Sequence, residues 1–261
     1  MNPSVLFVFI LSILLGVLRA ADLAFGTDAV TGLCVVGSVW WRYLALGIVV
    51  LAAVLVGRTQ PSHSEAVRSR RPLAGILAFV GAVCFLAAAG AQIALGAASG
   101  LGGFVRCILE CLCSAWLSTM GRCWLSPNEW KKPFGGLYLA VAGSLLFYWN
   151  VLLRFMENSS SWHRVTPTAA VWQALAALVF LAALARALHV PQPGNGKTLC
   201  AAGLAAFALC LCWQQPYVLV LISGLSWAAP AVWPEIFAGL GLCCVGGIGG
   251  ACVAACLNGE S

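Results

Sequence analysis

Arg106 and Glu110 are the residues of this chain whose types and spacing point most directly to chemistry. They stand four apart inside the stretch FVRCILECLCSAWLSTMGRCWLSPNEWKKPFGG (Phe104–Gly136), whose flanking segments are almost free of charge. Four residues is one helical turn, so each charge can neutralise the other in a medium of low dielectric. At about 100° per residue, Arg106, Cys107, Glu110, Cys111, Ser114, Ser118 and Gly121 fall on one side of a helix. Val105, Ile108, Leu109, Leu112, Ala115, Trp116, Thr119 and Met120 fall on the other. In a lipid-embedded chain the polar side is expected to face other helices or a wet cavity, and ionisable groups there mark proton or substrate paths. Arg106, Glu110 and Ser114 are therefore site candidates. The plainer alternative is an internal ion pair that only lowers the cost of burying two charges.

His163 is the other candidate. It sits between Trp162 and Arg164 in a polar loop, and histidine is the side chain that titrates most readily near neutral pH. Most exposed loop histidines are simply solvated; His63 and His189 have no comparable neighbours. Asn158-Ser159-Ser160 matches the glycosylation sequon, a three-residue pattern of low specificity. The 13 cysteines lie mostly inside apolar runs, where Cys acts as a small hydrophobe between helices. Cys107/Cys111 and Cys252/Cys256 have one-turn spacing, but no His or carboxylate joins the second pair, and we expect no metal. No P-loop, dinucleotide-binding glycine motif, HExxH, GxSxG or CxxCH occurs.

The elements that must position these residues are membrane helices. Of 261 residues, 62% are hydrophobic and only 8% charged, against about 25% charged in soluble domains, and the mean hydropathy is +0.96. The net charge of +6 needs no nucleic acid, because Lys and Arg sit in short loops as membrane topology requires. An all-α, polytopic bundle forming a single transmembrane domain over 1–261 is predicted, with the lipid bilayer as its surroundings. Its apolar runs are 2–18, 39–57, 73–95, 104–124, 134–153, 168–188, 199–213 and 216–257. The last contains Pro230 and Pro234 and is read as a hairpin of two short spans, giving nine helices, with eight as the alternative. The Arg-rich loop 58–72 and the loop holding Arg122, Lys131 and Lys132 are predicted to be cytoplasmic, so 104–124 must span. The loop 154–167 then falls outside. Gly246 and Gly250, at GxxxG spacing, permit close packing of the last helix.

Three groups of residues resemble the membrane-anchor subunit of dimethyl sulfoxide reductase-type complexes, over roughly 55–188. The first is a helix, the Arg-rich loop with Glu65, and a helix ending Ile93-Ala94-Leu95-Gly96, similar to one ending His-Leu-Gly in the family. The second is Ala115-Trp116-Leu117-Ser118, similar to the family's Ser-Trp-Leu-Ser-Arg-Glu. The third is Leu153-Arg154 followed by Ser161-Trp162-His163-Arg164-Val165-Thr166-Pro167, in which Trp162, Thr166 and Pro167 match Trp-x-x-x-Thr-Pro. The family's quinol-site His falls on Ala94 and the acid of its second motif on Met120, which leaves Glu110 and His163 as substitute proton acceptors.

The resemblance implies a non-catalytic anchor in the plasma membrane that passes electrons from quinol to an iron–sulfur subunit, itself joined to a molybdopterin catalytic subunit. It implies no covalently bound cofactor, and menaquinol as a candidate donor. Arg106, Glu110 and His163 would bind or deprotonate the ring, with Ser114 on the same pathway. Two rival expectations are a small-solute permease using the polar face of the 104–124 helix, and a membrane assembly protein without catalytic role.

Overall fold

The computed structural model describes residues 2–28, 33–60, 63–96, 98, 100–126, 132–156, 164–190, 192, 194–223 and 230–257. The described chain is helical: α1 (Pro3–Ala21), α2 (Val39–Thr59), α3 (Pro72–Ala94), α4 (Gly100–Leu125), α5 (Gly136–Met156), α6 (Val165–His189), α7 (Asn195–Ala206), α8 (Gln214–Ser223) and α9 (Trp233–Leu257). Two π-helical segments, Asp22–Gly26 and Phe207–Trp213, extend α1 and join α7 to α8. Start signals are local. Asn2 caps α1 by accepting from the Ser4 N–H, with Pro3 in the first turn, and Ser38 accepts from the Trp40 N–H at α2.

Eight stretches among the described residues are long and apolar enough to cross a membrane. The chain is a multi-pass membrane protein by that criterion, and its surface agrees. Phe7, Ile10, Ile13 and Leu14 on α1 and Leu44, Ile48, Leu51 and Leu55 on α2 are exposed, which in water would be an unsustainable apolar face. The favoured count of nine helices is corrected to eight. The span Asn195–Ser223 runs without interruption through the π segment and past Pro216, and Trp233–Leu257 is a single helix. The first arm of the expected hairpin is thus the end of the preceding helix. A π turn just before Pro216 already loosens the ladder in which a proline would otherwise break the helix.

Small residues set the interior. Ala74, Ala78, Ala82, Ala88 and Ala89 bury one face of α3 between α4 and α9. Gly203 and Gly249 bring α7 and α9 into backbone contact: a Cβ on Gly249 would lie 2.8 Å from the Gly203 carbonyl oxygen. Between membrane helices such close approach substitutes for the hydrophobic effect, because lipid tails are as apolar as the side chains they would replace. Gly246 and Gly250 pack on the same neighbour, against Leu211 and Phe207.

The expected two-sidedness of α4 is corrected in detail. Cys111, placed on the polar side, is exposed, whereas Trp116 and Met120, placed on the apolar side, are fully buried. Because α3 and α5 both cover α4, only a narrow stripe of Leu101, Phe104, Ile108, Cys111, Ala115 and Arg122 is left outside. Side-chain polarity alone does not reveal which helices flank which side.

Two contacts fix the ends of the bundle. Asn2 Nδ2 donates to Gln60, and the His63 N–H donates to the Cys256 carbonyl at 3.2 Å, so the start of α1, the Arg-rich loop and the end of α9 share one end. The opposite end holds the ends of α1, α3 and α5 and the starts of α2, α4, α6 and α9.

Candidate functional site

At that opposite end lies a cavity of about 170 Å³, to which α1, α3, α4, α5, α6, α8 and α9 all contribute. With bulk water occupying roughly 30 Å³ per molecule, it has room for one substituted ring or a small solute.

The Glu110 carboxylate is met by donors on both of its oxygens. Glu110 is 1% exposed and accepts from Arg106 Nε at 3.1 Å and from Gln92 Nε2 at 2.9 and 2.8 Å to its two oxygens. Arg106 is 32% exposed along its side chain, so the pair is asymmetric: the acid is sealed in, while the base reaches the rim. A buried carboxylate is tolerated where its lone pairs are met, and here α3 supplies what α4 alone cannot. Ser114, one turn further along, does not line the cavity. It donates to the Ala82 carbonyl at 2.7 Å and ties α4 to α3.

Arg19 enters from α1. It is 1% exposed; Nη1 donates to Asp22 at 2.7 Å, Nη2 to the Thr166 hydroxyl at 2.9 Å, and the guanidinium lies 4.7 Å from the centre of the Trp213 ring. Both π segments serve this arrangement. The first carries Asp22, which also accepts from Arg42 Nε at 2.8 Å and so links α1 to α2; the second carries Trp213. π turns recur at functional sites, where they re-aim side chains that a regular helix would bury elsewhere.

The far wall is a row of amides and a phenol. Gln173 Nε2 donates to the Leu209 carbonyl at 3.0 Å, within the second π segment, and to Gln214 Oε1 at 2.8 Å. The Tyr217 hydroxyl donates to Glu235 at 2.8 Å across α8 and α9. Asn150 and Arg154 of α5 complete the polar lining. The apolar wall is Phe85, Leu146, Phe147, Leu153 and Leu242, with the Phe85 and Phe147 rings edge to face at 6.0 Å.

Of the sequence candidates, the structure brings Arg106, Glu110 and Thr166 to this cavity. Pro167 sits beside Thr166 in the first turn of α6, where a missing N–H costs nothing. Trp162 and His163 lie outside the described residues. Arg19, Gln92, Gln173, Gln214, Tyr217 and Glu235 were not anticipated; the signal that could have found three of them is a glutamine inside an apolar run, as at Gln92, Gln173 and Gln214. All 13 cysteines are free, ten of them buried, and no cluster of three metal-ligating side chains occurs among the described residues. Set against known proteins, the chain matches no family model, no curated protein and no solved structure.

Proposed function

We propose that the chain is the membrane-anchor subunit of a quinol-linked oxidoreductase complex, with the cavity as its quinol site. Glu110 carries this reading: a buried carboxylate, held by Gln92 and Arg106, beside a wall of aromatic and aliphatic side chains. A quinol needs a proton acceptor within hydrogen-bond reach and an apolar slot for its ring, and both meet here. On oxidation the quinol loses two electrons and two protons. The electrons pass to the iron–sulfur subunit that the resemblance implies, and Glu110 accepts the two protons in turn, releasing each to the outer face before it takes the next. No residue of this chain need change its own oxidation state.

The purified protein or its complex is expected to bind an alkyl-hydroxyquinoline N-oxide, followed by quenching of the ligand's fluorescence. Glu110→Gln should weaken that binding about tenfold or more, as loss of a hydrogen bond to a charged group costs about 1.5–3 kcal/mol. His163→Ala tests the loop histidine in the same assay. His63→Ala, at the other end of the bundle, should leave affinity unchanged. Absence of binding by the intact complex overturns the quinol reading.

The cationic lining favours one alternative. Arg19, Arg106 and Arg154 all reach the cavity, as a permease for a small anionic solute would require. Uptake of such a solute by proteoliposomes, with no binding of the quinol analogue, would put that reading first.

Sidedness is open to direct test. On a Cys-depleted background, a single Cys at position 63 should label with an impermeant maleimide only from the cytoplasm, and one at position 160 only from outside. The expectation comes from the Lys and Arg bias of the loops. Labelling of both from one side would overturn the assignment of the cavity to the outer face.

A further inference from the structure

Between α2 and α6 runs a groove of about 370 Å³ that shares no lining residue with the cavity. Its origin lies in the packing. α7 rests against both α2 and α6, while those two helices scarcely touch each other. At Gly57 the contact of α2 with α7 is backbone to backbone, since a Cβ there would run into the N and Cα of Ala201. The floor of the groove is Ala201, Ala202 and Ala205 of α7, side chains too short to fill the gap between the rims. Polarity is confined to one end. Arg58 stands in the last turn of α2 and Thr198 in the first turn of α7, at the end of the bundle that holds the Arg-rich loop; every other lining residue is apolar. Arg58 is exposed and makes no hydrogen bond or ion pair among the described residues. The Thr198 hydroxyl stands 3.5 Å from the Gly194 carbonyl, beyond the roughly 3.0 Å of a well-formed O–H···O bond. Along α7 the groove reaches from Thr198 to Leu209, about 16 Å at the helical rise of ~1.5 Å per residue. One leaflet of hydrocarbon is about 15 Å deep.

We propose that this groove binds one anionic phospholipid, with an acyl chain laid along the alanines of α7 and the phosphate held by Arg58 and Thr198. The apolar walls suit a chain because they offer no polar group that it would have to desolvate. The charge selects the headgroup. An uncharged tail alone would leave the guanidinium unmet, and a zwitterionic headgroup would bring a cation of its own beside Arg58. A phosphate diester without an ammonium, as in phosphatidylglycerol, complements the site. Arginine can lay its apolar stem along the groove and keep its head at the depth of the phosphates, where its planar fork meets two oxygens at once. The lipid would join α2 to α6 where the two helices lack contacts of their own. The site is independent of the quinol reading and stands or falls without it.

The test is native mass spectrometry of the full-length protein, titrated in detergent with phosphatidylglycerol or with phosphatidylcholine of the same chains. Wild type is expected to hold one phosphatidylglycerol about fivefold more tightly than phosphatidylcholine, the worth of one arginine beside an anionic headgroup. Arg58→Gln should shrink that preference to about twofold or less. Arg70→Gln removes the same charge from an exposed position at the same end of the bundle, outside the groove, and should leave the preference intact. Ala176→Leu, which fills the groove from α6, should weaken both lipids together. Glycerophosphoglycerol, the headgroup without its chains, should not displace the lipid at equal concentration. Equal affinities for the two lipids in wild type overturn the proposal, as do equal losses from the two arginine variants or undiminished binding by Ala176→Leu. Displacement by glycerophosphoglycerol would reduce the site to a phosphate contact, and displacement by the alkyl-hydroxyquinoline N-oxide would give the groove to a quinol tail; either result overturns it. If Ala176→Leu fails to fold, the comparison of Arg58→Gln with Arg70→Gln decides.

Discussion

Replacing Arg106 with glutamine is expected to harm the protein more than replacing Glu110 with glutamine, although the two form one ion pair. The asymmetry follows from burial. Glu110 is 1% exposed and Arg106 is 32% exposed along its side chain. Arg106→Gln strands a carboxylate inside the bundle with Gln92 as its remaining partner, and an uncompensated buried charge costs about 3–5 kcal/mol. Glu110→Gln leaves a guanidinium that already reaches the rim and can turn further out. Gln92 also tolerates the change, since its amide can donate to a glutamine carbonyl where it donated to the carboxylate. The double variant should therefore resemble Glu110→Gln rather than the sum of the two singles. Thermal unfolding of detergent-purified protein, with yield in the membrane as a second reading, is the measurement. Equal losses from both singles, adding in the double, would mean that the two charges act independently.

The class of fold was legible because a membrane imposes a simple rule: long apolar runs become helices, and charges collect in loops. The helix bearing Arg106 and Glu110 could be placed for that reason, and their spacing already implied mutual contact. What surrounds them could not be read. Gln92 occupies an alanine-rich run and gains meaning only once α3 lies against α4. Arg19 reads as an interfacial residue at the end of an apolar helix, and nothing local indicates that it turns inward beneath Trp213. The cavity takes residues from seven helices, so no window of sequence contains it. Pro216 shows a different limit. Proline signals a break, yet here the helix continues, because the π segment before it accommodates the missing N–H. The count of nine came from dividing 195–223 between two runs at 213 and 216, while the break expected at Pro230 and Pro234 does separate α8 from α9.

Gly16→Leu is expected to destabilise the protein strongly and to unseat Arg19 without touching it. The reason is a backbone-to-backbone approach. A Cβ on Gly16 would lie 2.7 Å from the carbonyl oxygen of Cys212 and 3.5 Å from its Cβ, within the π segment that carries Trp213. That carbonyl cannot step aside cheaply. Pro216, four residues on, has no N–H to bond back to it, and in a lipid-embedded bundle its surroundings must satisfy it. A leucine at position 16 must push α1 off the π segment, at a cost of about 1–3 kcal/mol for overpacking. Because Arg19 lies one turn beyond, the same shift pulls its guanidinium from Trp213 and Thr166. The control is Gly47→Leu on α2, where nothing lies within 4 Å of the added Cβ and a leucine would meet lipid. The Gly16 variant should unfold at a distinctly lower temperature than the Gly47 variant. Indistinguishable behaviour of the two variants would mean that α1 is not seated against the π segment, and that Arg19 has no fixed place in the cavity.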